Sequence, residues 1–452
     1  MSIPMLAATL LYTAVVVLAV LFFVRKKEML SPEMLVSLGF ALPIPYLLIA
    51  SILPDHANYM GYFSKSSYED VFPRVVYLQI VVFLLVLAGV LFGKAAISSL
   101  YREGFNARYG LRMPNMSVVY DQSLIVGVAS VCLGFYMVLS IVYTQAGGIV
   151  ALWSNIGMRT QILAGNGAKY LLGNFFVLVG ISIVFMRTVC IKTNYSLFWV
   201  MFIISTFSLA VFGARGPAIK MIFLLIFIHH YYSKPITLSY RVLIKFTFLG
   251  LVTVLFIGIV AFIRKSQINN GAGELGFADY VIETFSHMSH IGTYMFIYDY
   301  FDTENAWNGY SYINLLYFLG VLDAGGKVPL DDGRYVLGLI QYGFVNPVEY
   351  IEDLPGSSYP PGLWFGYMQF LYFGLFMFSF LVGVIKGAFY KLFLCSGRKL
   401  FLFFMMYYVG YNFVPTNFHI FSCALYSAFF IVFFLIYRFI NRISIHRWSR
   451  VK

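Results

Sequence analysis

Charge is scarce in this sequence: Asp, Glu, Lys and Arg make up 11% of it, against roughly one quarter in an ordinary soluble domain. With 60% hydrophobic residues, the chain has too little polar surface to cover a water-exposed globule, and a soluble enzyme is excluded. Cysteine is scarce too, at four residues. Cys132, Cys190 and Cys423 lie in or at the ends of apolar runs and Cys395 in a basic turn, so neither a disulfide framework nor a zinc site is expected. Several chemical signatures are missing as well. The sequence has no phosphate-binding glycine loop ending in Gly-Lys-Ser or Gly-Lys-Thr, no Gly-x-Ser-x-Gly elbow and no His-Glu-x-x-His. Nucleotide chemistry on the cytoplasmic side has no visible home, and no cofactor is expected.

What is abundant is apolar sequence in lengths of about 20 residues, the length that crosses a bilayer as a helix. Such runs fall at about 4–24, 33–53, 75–92, 123–143, 170–189, 195–212, 217–232, 242–263, 362–385, 400–414 and 420–440. The expectation is an all-α, polytopic membrane bundle of about eleven spans. Residues 1–263 carry spans one to eight, 264–361 form one large extracytoplasmic loop, 362–441 carry the last three spans, and 442–452 are a basic cytoplasmic tail. The first run lacks a preceding cationic segment and is followed by Arg25, Lys26 and Lys27, so it reads as a retained helix rather than a cleaved signal. The run from 217 is short and opens at Pro217, as a tilted or partly re-entrant segment would.

Formal net charge is +12, which raises the question of nucleic acid. The Lys and Arg residues are scattered at the ends of apolar runs, however, where membrane orientation accounts for them, and no nucleic-acid partner is expected. With residues 25–27 in the cytoplasm and the sides alternating, 21 of the 31 cations fall inside and 10 outside. This bias puts the N-terminus outside and the C-terminus in the cytoplasm. Trp153, Trp307 and Trp364 then fall near the outer face and Trp199 and Trp448 near the inner one, as interfacial rings should.

The cations left on the outer side against this bias are informative: Arg159, Lys169, Arg215, Lys220, Arg264, Lys265 and Arg334. Arg215 stands in Gly213-Ala214-Arg215-Gly216-Pro217, a corner whose glycines allow close approach to the backbone and whose following helix offers its positive end to an anion. Lys220 follows about one turn later. A phosphate cradle and a tight hairpin with a snorkelling arginine are both open readings of this corner. For Arg264 and Lys265, at the outer end of a span, headgroup anchoring is the other reading. Arg159 is bracketed by Ala146-Gly147-Gly148 and Gly165-Asn166-Gly167, which suggests a shaped loop. In the long loop, Tyr280–Tyr300 reads as helical, and Glu283, His287 and His290, spaced by four and three, would share a helical face. That face suits a general base near the membrane surface, and equally a solvated polar surface. Loops of this length are uncommon unless functional.

Three stretches carry a resemblance to a known family: Met158-Arg159 to Lys169-Tyr170, Phe212-Gly213-Ala214-Arg215-Gly216-Pro217, and Gly356-Ser357-Ser358-Tyr359-Pro360-Pro361-Gly362 leading into the aromatic span with Phe373-Gly374. In these and in layout over most of its length, the chain resembles the bacterial oligosaccharide repeat-unit polymerases, the O-antigen polymerases called Wzy. The resemblance implies a helical bundle of the kind found in lipid-dependent glycosyltransferases, the GT-C-like architecture. It implies an inner-membrane enzyme acting at the periplasmic face on undecaprenyl-diphosphate-linked oligosaccharides, without nucleotide sugar or metal, with membrane lipid and a chain-length regulator protein as partners. Arg215 and Arg159 would hold the diphosphate, with Lys220, Arg264, Lys265 and Arg334 contributing. His287 would be the base, with Glu283 and His290 as rivals; for Tyr310, Tyr312, Tyr359 and Trp364, stacking on sugars and ordinary interfacial packing are both open readings. The family is described with an even number of spans, whereas the runs here number about eleven. An O-antigen ligase, which passes the same donor to lipid A core, and a non-enzymatic flippase for the same lipid are the alternatives. The Tyr-Pro-Pro-Gly loop ending in place of a His disfavours the first, and the long unrepeated loop disfavours the second.

Overall fold

The computed structural model describes residues 3–25, 30–52, 65–100, 120–154, 162, 166–212, 215–233, 289–304, 306–308 and 362–395. Regular structure among the described residues is entirely helical. In chain order the helices are α1 (Ile3–Arg25), α2 (Pro32–Ala41), α3 (Ile44–Ile52), α4 (Lys65–Leu100), α5 (Tyr120–Ala146), α6 (Ile149–Ser154), α7 (Gly167–Ile191), α8 (Tyr195–Ala210), α9 (Arg215–Tyr232), α10 (Ile291–Tyr300) and α11 (Phe365–Cys395). They belong to two compact units: α1–α4, α10 and all but the last residue of α11 lie in the first, and α5–α9 in the second.

Six segments are long and apolar enough to cross a bilayer: Ile3–Val24, Pro32–Ile52, Tyr68–Ser99, Leu124–Ala146, Lys169–Ile191 and Gly362–Leu392. Two shorter apolar helices, Tyr195–Ala210 and Lys220–Tyr231, cover the runs expected at 195–212 and 217–232. The runs at 242–263, 400–414 and 420–440, the tail from 442 and most of the 264–361 loop lie outside the described residues. Large apolar side chains are exposed along the spans, among them Leu18, Leu21 and Phe22 on α1 and Val200, Ile203 and Phe207 on α8. Continuous apolar faces of this kind require lipid, and the chain is a helical membrane protein.

In the first unit, α1 packs antiparallel to the next crossing. The Tyr12 hydroxyl donates to the Phe40 carbonyl at 2.6 Å and the Thr9 hydroxyl to that of Leu47 at 3.5 Å. That crossing starts at Ser31, whose side chain caps the Met34 amide, and breaks between α2 and α3 at Pro43, which has no amide hydrogen to continue the ladder. At one end of the unit the Lys94 ammonium pairs with the buried Glu33 carboxylate at 2.8 Å and lies over the Tyr390 ring, joining α2, α4 and α11.

Helices α4 and α11 meet backbone to backbone. Gly89 and Gly93 face Gly383 and Gly387 so closely that a Cβ on any of the four would collide with backbone of the opposite helix. Rising residue numbers on one helix meet rising numbers on the other, so the two run parallel. Small residues four apart let helix backbones touch, which in lipid replaces the hydrophobic drive available in water.

The sequence predicts one continuous helix from 362 to 385, and here the structure differs. A single turn of 3-10 helix, Gly362–Trp364, leads into α11, which turns sharply at Phe370 and Leu371. Leu371 has φ 49° and ψ −135°, a backbone region normally left to glycine. Gly366 and Gly374 press together across the turn, and Phe365 reaches Phe378 at 6.2 Å between ring centres, so the short first arm folds back on the long second one. Helix α10, expected within a wider stretch from Tyr280, packs on α4 with Ile291, Tyr294, Met295 and Ile297 buried.

In the second unit α5 and α7 form an antiparallel pair, with Gly127 against Gly180 and Gly134 against Gly173. Lys192 and Asn194, both in left-handed conformation, turn the chain tightly into α8. Gly383→Ala should lower the unfolding midpoint by the equivalent of about 1–3 kcal/mol, as overpacking does. Gly167→Ala, where nothing lies within 4 Å of the added carbon, should be neutral or slightly stabilising. Thermal unfolding in detergent by tryptophan fluorescence checks both, and equal shifts would contradict the packing described.

Candidate functional site

The second unit has an apolar cap at the end where α5 stops and where α7 and α9 begin. Val138, Ile141 and Val142 of α5, Leu152 of α6, and Val211 and Phe212 after α8 form one buried cluster, against which Ala146, Ile149, Ile162 and Tyr170 pack. The chain enters this cap through Gly147 and Gly148, at φ 73° and 129°. The Gly148 amide bonds the Val142 carbonyl at 3.2 Å, closing the end of α5 as a left-handed glycine does. Helix α6 then drops Leu152 into the cluster. Tyr170, in the first turn of α7, meets Phe212 edge-on at 5.2 Å.

Two sequence-selected segments are thereby fastened to one cluster. Leu152 and Ile162 flank the loop that carries Arg159, and Val211 and Phe212 lead into the corner that carries Arg215. Arg159 itself lies outside the described residues, as do Glu283, His287, Arg264, Lys265, Arg334, Tyr310, Tyr312 and Tyr359. Arg215 is the first residue of α9, Lys220 is half-buried in its second turn, and Lys169 is half-buried in the first turn of α7.

The electrostatics of this end are one-signed. Helices α7 and α9 both begin here, and neither has an acidic residue in its first turn. The start of a helix carries about half a positive charge, so acidic residues are favoured there and cations oppose it by roughly 0.3–1 kcal/mol each. Lys169 and Arg215 add positive charge where the backbone is already positive, and Lys220 adds more in the next turn of α9. An anion seated there would meet amide groups and cations together and relieve that opposition.

Two residues singled out in the sequence have described places in the first unit. His290 is buried, with φ 55° immediately before α10, so it occupies neither a solvated surface nor an uninterrupted helical face. Trp364 is fully buried and lies flat against Tyr294 at 5.3 Å, the packing reading of its ring. Among the described residues no three His, Cys, Asp or Glu side chains are grouped to hold a metal. The glycine faces at 89 and 93 and at 383 and 387 went unread in the sequence, although their four-residue spacing was there to find.

Inorganic pyrophosphate should raise the unfolding midpoint of the wild type, by the equivalent of about 2.7 kcal/mol at a hundredfold excess over its dissociation constant. The gain should shrink with added salt and in Arg215→Ala and Lys220→Ala. A midpoint indifferent to pyrophosphate would remove the anion site. Compared with protein-family models, with curated proteins and with solved structures, the chain matches none.

Proposed function

We propose that this membrane protein is a polymerase that joins undecaprenyl-diphosphate-linked oligosaccharide repeat units at the periplasmic face of a bacterial inner membrane. The observation that carries the reading is the cationic end of the second unit, where one apolar cluster holds Leu152 and Ile162, which flank Arg159 in sequence, together with Val211 and Phe212, which lead to Arg215, beside two helix starts free of acid. A lipid diphosphate is the anion that suits such a place, because its charge lies at the bilayer surface while its tail stays in hydrocarbon.

In the proposed reaction the acceptor hydroxyl loses its proton to a base and attacks the donor's anomeric carbon. The bond from that carbon to the diphosphate oxygen breaks, and the lipid diphosphate leaves with the bonding electrons. Charge grows on that oxygen as the bond lengthens, and cations held in place stabilise it without reorganising. The donor is already activated, so neither nucleotide nor metal is required. Arg159 and Arg215 are assigned to the diphosphate with Lys220 beside them, and His287 to the proton. Parallel α4 and α11 need an odd number of crossings between them, and the five runs from 123 to 263 meet that condition.

The test is complementation of the strain of origin deleted for this gene, scored by the polysaccharide ladder and by membrane protein level. The wild type should restore long chains. Arg215→Ala, at equal protein level, should leave single repeat units, matching a loss of about 100-fold or more in rate. A wild type that restores no ladder ends the polymerase reading, and an Arg215→Ala protein of normal activity ends the assignment of that residue.

A further inference from the structure

The elbow of α11 is packed with tyrosines. Tyr298 of α10, Tyr367 of the short arm and Tyr372 of the long arm form a triangle with ring centres 6.0, 6.5 and 5.4 Å apart. The Tyr372 hydroxyl donates to that of Tyr298 at 3.2 Å. Behind the triangle Trp364 lies against Tyr367 at 5.4 Å and stacks on Tyr294. The Trp364 indole N–H is buried and finds no acceptor among the described residues. The row of rings runs outward from this core, and Tyr372 is 44% exposed at its end.

Interfacial tyrosines ordinarily sit with their amphipathic rings at the headgroup level. This group is built differently. Leu371 is held in a glycine-like conformation immediately before Tyr372. The amides of Trp307 and Asn308 bond the carbonyls of Met368 and Gln369, each at 2.9 Å, and clamp the segment after α10 onto the elbow. Strain that surrounding structure maintains, next to an exposed ring, is characteristic of a binding site. The polar surroundings define the chemistry. Asp299, Asp302, Glu304 and Asn308 are exposed along the adjoining segment, with Asp302 in electrostatic reach of Tyr367 and Arg74 in reach of Tyr372. Flat aromatic faces accept the C–H face of a sugar ring, and carboxylates and amides accept its hydroxyls. Carboxylates outnumber cations here, which disfavours an acidic sugar.

We infer that the tyrosine triangle at this elbow, with Tyr372 as its exposed face, is a platform for an uncharged sugar ring of the oligosaccharide. The inference rests on the polymerase reading and adds its sugar subsite. The probe is the repeat-unit oligosaccharide of the strain of origin, released from its lipid by mild acid and therefore lacking diphosphate. Binding to the full-length protein in lipid nanodiscs is measured by calorimetry and by saturation-transfer NMR. The wild type should bind, Tyr372→Ala should lose about fivefold to tenfold in affinity, and Tyr372→Phe, which keeps the ring, should stay within about twofold. Arg215→Ala should leave this affinity unchanged. Equal affinity in Tyr372→Ala, equal losses in the Ala and Phe variants, or a wild type that restores the ladder yet binds no free oligosaccharide each overturns the platform and leaves the polymerase reading standing. A wild type that restores no ladder overturns the reading beneath it.

Discussion

Helices in lipid gain little from hiding apolar side chains, because the surrounding hydrocarbon is as apolar as their partners. What remains is close contact between backbones, and glycine supplies it in both units. Gly89 and Gly93 against Gly383 and Gly387 hold α4 to α11, and Gly127 and Gly134 against Gly180 and Gly173 hold α5 to α7. Other features sit on these two pairings. The α10 segment rests on α4, the elbow is the outer part of α11, and the apolar cap forms where α5 and α7 come together.

In the cap, apolar packing and charge occupy separate places. Its interior is Val, Ile, Leu, Phe and Tyr, and the cations stand at helix starts around that interior. Apolar packing supplies the stability, and the unfavourable placement of charge is confined to one end of the unit. Positive residues at a positive helix end stand out because an ordinary fold avoids them.

Much of the fold was legible because a bilayer reduces the problem to length: an apolar run of about 20 residues has few alternatives to a spanning helix. Direction was not legible. The run from 362 is apolar throughout, and hydropathy cannot report that its first turns fold back at Leu371. The Arg215 corner announced itself through flanking glycines, but its association with the loop after α5 depends on Leu152 and Phe212, ordinary apolar residues sixty positions apart. Trp364 shows the converse problem. Whether its ring faced a ligand or its own neighbours was decided by Tyr294, seventy residues earlier.

The parallel contact of α4 with α11 also has a bearing on biosynthesis. About 260 residues separate the end of one from the start of the other, and at about 5–20 residues per second their translation takes roughly 10–50 s. Throughout that interval the glycine face of α4 stands in the membrane without its proper neighbour, open to any other helix with a small-residue seam. The seam between α4 and α11 therefore closes only after α5–α9 have been made, and a chaperone or insertase that shields α4 during this time would keep it from false partners.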